Sequence, residues 1–169
     1  MHIKSFTARD MAQIAFVAAI YVALTVTPPL SAISFGAIQF RVSEMLNFLA
    51  FYNRKYIIAV TLGCMISNLM VYGLVDLVVG GLSTLVFVSL GVVLFERFKH
   101  EYLFNGLMNK AFFYFSFFFA ASMFTIALEL YFMYQSPFFM TWLTTAGGEL
   151  LSLLIGAVLI DKLAKRLTL

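Results

Sequence analysis

Arg41, Glu44 and Asn47 stand at three-residue intervals within "FGAIQFRVSEMLNFLAFY", Phe35 to Tyr52, a stretch otherwise apolar enough for a membrane interior. Asn68, Asp76, Glu129, Trp142 and Glu149 follow in similarly apolar surroundings. A carboxylate only accepts hydrogen bonds, a guanidinium only donates, and a carboxamide does both. Such a set suits recognition of a hydrogen-bonding solute. It does not suit bond-making. No GxxxxGK[ST] loop, HExxH or Gly-x-Ser-x-Gly is present. The two histidines, His2 and His100, lie outside the apolar runs, and the single Cys64 excludes an internal disulfide and a Cys-based zinc site. A non-enzymatic chain with no cofactor and no metal is expected.

The elements that position these residues follow from composition. The 169 residues are 63% hydrophobic and 11% charged, with a mean hydropathy of +0.98. Soluble domains carry about 25% charged residues, so lipid must be this chain's solvent. Spanning the hydrocarbon takes ~20 apolar residues. Six runs qualify: Arg9 to Thr27, Phe35 to Tyr52, Tyr56 to Tyr72, Val75 to Phe95, Leu107 to Tyr134, and Phe138 to Leu163. The first outlasts a signal-peptide core and reads as a retained helix. Breaks fall at Pro28-Pro29, Asn53 to Lys55, Tyr72-Gly73, Glu96 to Glu101, and Ser136-Pro137. Gly80-Gly81 marks a kink or a thin place in the fourth run. The expected fold is an all-α integral membrane protein, a six-transmembrane-helix bundle forming a single membrane-embedded domain, 1–169.

The connections alternate in charge. Lys4 and Arg9 precede the first run, Arg54 and Lys55 follow the second, Arg97, Lys99 and Lys110 follow the fourth, and Lys162, Lys165 and Arg166 close the last. The other connections carry no Lys or Arg. This positive-inside pattern places both termini in the cytoplasm of a bacterial plasma membrane. Of the 11 basic residues, Arg41 alone falls in the outer half, with Glu44, Asn47, Asn68, Asp76, Glu129, Trp142 and Glu149. Intramembrane ionisable groups are costly and face a bundle interior or a water-filled cavity, so a ligand cavity open to the outside is expected.

Each residue also has a structural reading. Arg41 and Glu44 can pair along one helix. Asn47 and Asn68 can tie helices together. Asp76 can serve a helix N-terminus, Glu129 can be solvated, and Trp142 can anchor at the interface. Glu149, at depth after Gly147-Gly148, has to be functional or tightly paired. Substrate contact is assigned to Glu44, Asn47, Asn68, Trp142 and Glu149, with Arg41, Asp76 and Glu129 in structural or binding support. Two ladders of small residues stand apart from these. Ala8, Ala12, Ala15, Ala19 and Ala23 share one narrow face of the first helix, and Gly148, Ser152 and Gly156 share one of the last. Small residues so spaced let another helix approach closely. The run "FFYFSFFFAASMF" reads as lipid-facing or bulky packing surface.

The chain resembles the substrate-binding S components of energy-coupling factor (ECF) transporters, and within them the queuosine-precursor (QueT) family. The resemblance is strongest from Ile33 to Leu85, in "QFRVSEMLNFLAF" and in the "GC…NL…GLVD" portion. It implies a six-helix S component that captures a 7-deazaguanine queuosine precursor from outside. It also implies a transmembrane coupling protein and two ATPase subunits, docked on the alanine face at Ala15, Ala19 and Ala23. Open alternatives are another vitamin cargo such as riboflavin or thiamine, a self-contained carrier, and a structural or regulatory membrane protein.

The charge alternation generates a topology test. A cysteine introduced near Ser31 or Ser136 is expected to react with an impermeant thiol reagent in intact cells, and one near Lys99 is not. Labelling at Lys99 would overturn the orientation.

Overall fold

A capping box starts the first helix, α1 (Ala8–Val26). Thr7 accepts the Asp10 backbone N–H at 3.2 Å, and Asp10 accepts that of Thr7 at 3.1 Å, which satisfies donors that a helix start leaves free. The computed structural model describes residues 6–36 and 38–167, so His2 and Lys4 lie outside it. After α1 come α2 (Leu30–Ser34), a 3-10 helix (Val42–Phe51), α3 (Lys55–Val71) and α4 (Leu74–Phe95). A two-stranded hairpin, Tyr102–Leu103 against Met108–Asn109, then leads into α5 (Lys110–Ala121), α6 (Phe124–Tyr134) and α7 (Phe138–Leu167).

The chain is mostly helical, and among the described residues four helical segments are long and apolar enough to cross a membrane: Ala8–Val26, Leu74–Phe98, Lys110–Tyr134 and Phe138–Arg166. Val42–Phe51 and Lys55–Val71 are shorter apolar helices. The second of the six expected spans therefore differs from a full α-helix. Its regular part is ten residues of 3-10 helix, about 20 Å long at roughly 2.0 Å per residue. With three residues per turn, Arg41, Glu44 and Asn47 fall in one row. An α-helix would rotate each by about 60° from the last. Phe48 and Phe51, together on another row, pack against Phe112 and Phe115 of α5; the Phe48 and Phe112 rings stack at 4.4 Å.

Small residues set how closely the other elements approach. Gly148, Ser152 and Gly156 of α7 receive Ile38, Arg41 and Met45 in turn. A Cβ on Gly148 would run into the Ile38 carbonyl oxygen, Ser152 Oγ donates to the Arg41 carbonyl, and a Cβ on Gly156 would meet Met45. That ladder seats the polar row. Gly63 of α3 lies against the Tyr21 ring of α1. Gly80 and Gly81 do not break α4, which runs continuously; they let Asn68 and Met65 of α3 approach it. The bend comes instead between α5 and α6. There Ser122 Oγ bonds back to the Phe119 carbonyl at 2.6 Å, and Met123 N–H reaches only to Ala120 at 3.2 Å.

Side-chain contacts gather the basic residues at one end. Lys55 pairs with Asp10 at 2.7 Å, Arg54 with Glu96 at 2.8 Å, Lys110 with Glu101 at 2.6 Å and Lys165 with Asp161 at 2.7 Å. Lys99 donates to the Phe51 carbonyl at 2.8 Å. Arg41 lies toward the opposite end, where Tyr72 closes α3 against Phe35. Phe112, Phe115 and Phe119 fill the core, while Phe117 is exposed, so the aromatic run serves both the core and the outer surface.

Candidate functional site

The polar row is held from both sides. Tyr21 of α1 donates its hydroxyl to Glu44 Oε1, and Asn47 donates to Glu44 Oε2 at 2.6 Å. One turn along α1, Thr25 donates to Ser43 at 2.7 Å. The expected Arg41–Glu44 pair does not form: Glu44 takes its donors from Tyr21 and Asn47, and none of the four ion pairs among the described residues includes Arg41. Arg41 Nε donates to the Ser34 carbonyl at 3.4 Å, and the guanidinium lies over the Phe35 ring at 5.1 Å. It remains within electrostatic range of Glu44, Asp76, Glu129 and Glu149.

Three neighbouring spaces lie at this end of the molecule, and Arg41 lines one of them. A cavity of about 320 Å³ is lined by Phe35, Gly36, Gln39, Tyr72, Leu130 and α7 residues that include Thr141, Thr144 and Thr145. Its size falls in the usual range for small-molecule sites. Beneath it, an enclosed void with room for about one water is lined by Arg41, Glu44 and Glu149 with Cys64, Ser83 and Thr84. Gln39, in left-handed backbone conformation at φ 48°, borders both spaces. A side chamber of about 70 Å³ holds Asp76 and Glu129 and shares Tyr72 and Leu130 with the larger cavity.

Of the residues picked out in the sequence, Arg41, Glu44 and Glu149 therefore meet in one void, and Asp76 and Glu129 meet in another. Glu149 Oε1 is buried without a hydrogen-bond partner. Asn47 stands behind Glu44 instead of lining these spaces, with its Oδ1 unpartnered. Asn68 bridges α3 to α4 by donating to the Asp76 carbonyl at 3.2 Å. Trp142 donates its indole N–H to the Ala121 carbonyl at 3.0 Å and packs near Phe138, apart from the cavity linings given above. Phe35, Gln39, Tyr72 and the α7 threonines were not picked out in the sequence. Only the threonines left a signal: Thr141, Thr144 and Thr145, an i, i+3, i+4 polar set in an apolar helix.

On α1, Ala8, Ala12, Ala15, Ala19 and Ala23 are all exposed, while Ile14, Val17, Ala18, Tyr21 and Thr25 on the opposite face are buried. Within the chain the alanine stripe therefore serves no packing.

A mostly helical chain with membrane-length helices and buried charges lining internal spaces has the build of a membrane transport protein. Residues 11–165 match the QueT transporter family. The chain is also 66% identical over 160 residues, 95% of each chain, to the queuosine precursor transporter QueT of Lactococcus lactis subsp. cremoris (strain MG1363). It belongs to the QueT transporter family, a family of transporters and not of enzymes. No solved structure matches it.

Removing one partner from a buried charge cluster can cost ~3–5 kcal/mol. Arg41→Ala leaves Glu44, Glu149, Asp76 and Glu129 without a nearby cation and is expected to lower the melting temperature of the purified protein markedly. Arg41→Lys should recover part of the loss. Unchanged melting in Arg41→Ala would show that the guanidinium does not balance these carboxyls.

Proposed function

We propose that this chain is the substrate-binding S component of an ECF importer and captures a 7-deazaguanine queuosine precursor from outside. The four long helices together with Val42–Phe51 and Lys55–Val71 make six passages, and the basic end faces the cytoplasm with both termini. A transmembrane coupling protein and two ATPase subunits then drive inward delivery. The name of the Lactococcus relative supports the cargo, and the exposed alanine face supports a docking helix.

The observation that carries the binding site is Glu149 Oε1, buried and without a donor in the small void that shares Gln39 with the larger cavity. A guanine-like edge presents neighbouring N–H groups, and a carboxylate offers two oxygens at matching spacing. Glu44 already takes donors from Tyr21 and Asn47, so Glu149 is the better placed partner. Phe35 and Tyr72, edge to face at 5.4 Å, supply aromatic surface at the cavity wall. Base–aromatic stacking is worth roughly 1–3 kcal/mol.

Calorimetry on the purified protein tests this. Glu149→Gln is expected to weaken deazaguanine binding by about tenfold or more, and Trp142→Ala by less. Full affinity in both Glu149→Gln and Glu44→Gln would sink the site. Tight binding of riboflavin or thiamine in place of the deazaguanine would sink the cargo.

The docking face has its own test. Ala19→Leu is expected to abolish most uptake in cells carrying the whole transporter while the isolated protein keeps its cargo affinity, because the bulkier side chain holds a partner helix away. Parallel loss of binding and uptake would count against docking.

A further inference from the structure

The outer half of the chain is out of charge balance. Arg41 is its one cation, against the four carboxyls of Glu44, Asp76, Glu129 and Glu149. Glu44 is quieted by Tyr21 and Asn47. Asp76 and Glu129 are not. Asp76 opens α4 and is 5% exposed, and Glu129 of α6 is 9% exposed. Both carboxyls line one small chamber, and Asp76 Oδ2 and Glu129 Oε2 are buried with no donor. Two acceptor-only groups brought together away from water repel and stay unsatisfied unless a proton or a cation enters between them.

The chamber around them is about 70 Å³, walled by Tyr72, Leu130, Met133 and Tyr134, and it shares Tyr72 and Leu130 with the lining of the larger cavity. It is too small for a ring system and large enough for a short arm projecting from one. Among the described residues no third His, Cys, Asp or Glu joins the pair to make a metal site. An ammonium group fits instead: it carries three donors, no acceptor and one positive charge.

Building on the cargo reading above, we propose that the Asp76–Glu129 chamber is an amine subsite, and that the protein selects a deazaguanine bearing a protonated aminomethyl arm over its neutral nitrile-bearing counterpart. The ring occupies the larger cavity near Glu149, and the arm enters the side chamber. Its charge brings the buried cluster closer to neutrality, and the two orphaned oxygens gain donors.

Calorimetry on the intact purified protein with both compounds tests the subsite. Charge-assisted hydrogen bonds lead to an expected preference of about tenfold or more for the aminomethyl compound. In Asp76→Asn and Glu129→Gln, which remove charge and keep volume, the ratio of the two affinities is expected to collapse toward one. Equal affinities in the wild type, or an unchanged ratio in both folded variants, would overturn the amine subsite and leave the cargo reading intact. Binding of neither compound would overturn the cargo reading and the subsite with it. If a variant fails to fold, the wild-type ratio alone decides.

Discussion

A single guanidinium among four carboxyls governs the interior of this protein. At low dielectric, charges a few ångströms apart interact far more strongly than in water, and stranded ones are expensive. The sequence places Arg41 at the head of a row that must stay buried. Winding Val42–Phe51 as a 3-10 helix keeps Glu44 and Asn47 aligned beneath it. Runs of that length are uncommon because the hydrogen-bond geometry is poorer, so tertiary contacts have to hold this one. Glu44 accepting from Tyr21, Ser43 bonded to Thr25, and the Arg41 carbonyl accepting from Ser152 do so from two sides.

The same constraint explains where the small residues fall. The row can sit close to α7 only because Gly148, Ser152 and Gly156 leave space for Ile38, Arg41 and Met45. Tyr21 can reach Glu44 while packed close against α3 because Gly63 has no side chain. These glycines are close-approach positions, and none of them bends its helix. The walls nearest the polar groups are thus rigid helix-on-helix packing. The larger cavity, in contrast, is bordered by Phe35, Gly36 and Gln39, which lie outside regular helix, with Gln39 at positive φ.

Much of this was legible in the chain. Hydropathy alone marked the membrane-length helices, and the Lys and Arg positions anticipated one basic end. Arg41, Glu44 and Glu149 come together at one void, and Asp76 and Glu129 at another. What sequence could not resolve was winding and partner choice. Three-residue spacing is compatible with an α-helical i,i+3 pair, and it suggested Arg41 with Glu44. The decision lay with Tyr21, 23 residues earlier, an aromatic with no distinguishing pattern around it. Trp142 shows the opposite error: a lone tryptophan in the outer half invites a stacking role, yet its N–H is taken by a carbonyl exposed at the α5–α6 bend. That bend has no Pro or Gly to announce it.

The two ends of the molecule handle charge by different physics. Asp10, Glu96, Glu101 and Asp161 lie at the basic end, and each pairs one-to-one with a Lys or Arg. Several of these pairs reach solvent, where an ion pair adds only about 0–1 kcal/mol. Pairs of that kind do little for stability. The other four acids are buried and share one cation. There each unpaired oxygen raises the free energy of the empty protein and lowers that of any state in which a donor arrives. The deficit of positive charge around Arg41 therefore favours any donor or cation that reaches these oxygens, whichever wall it approaches from.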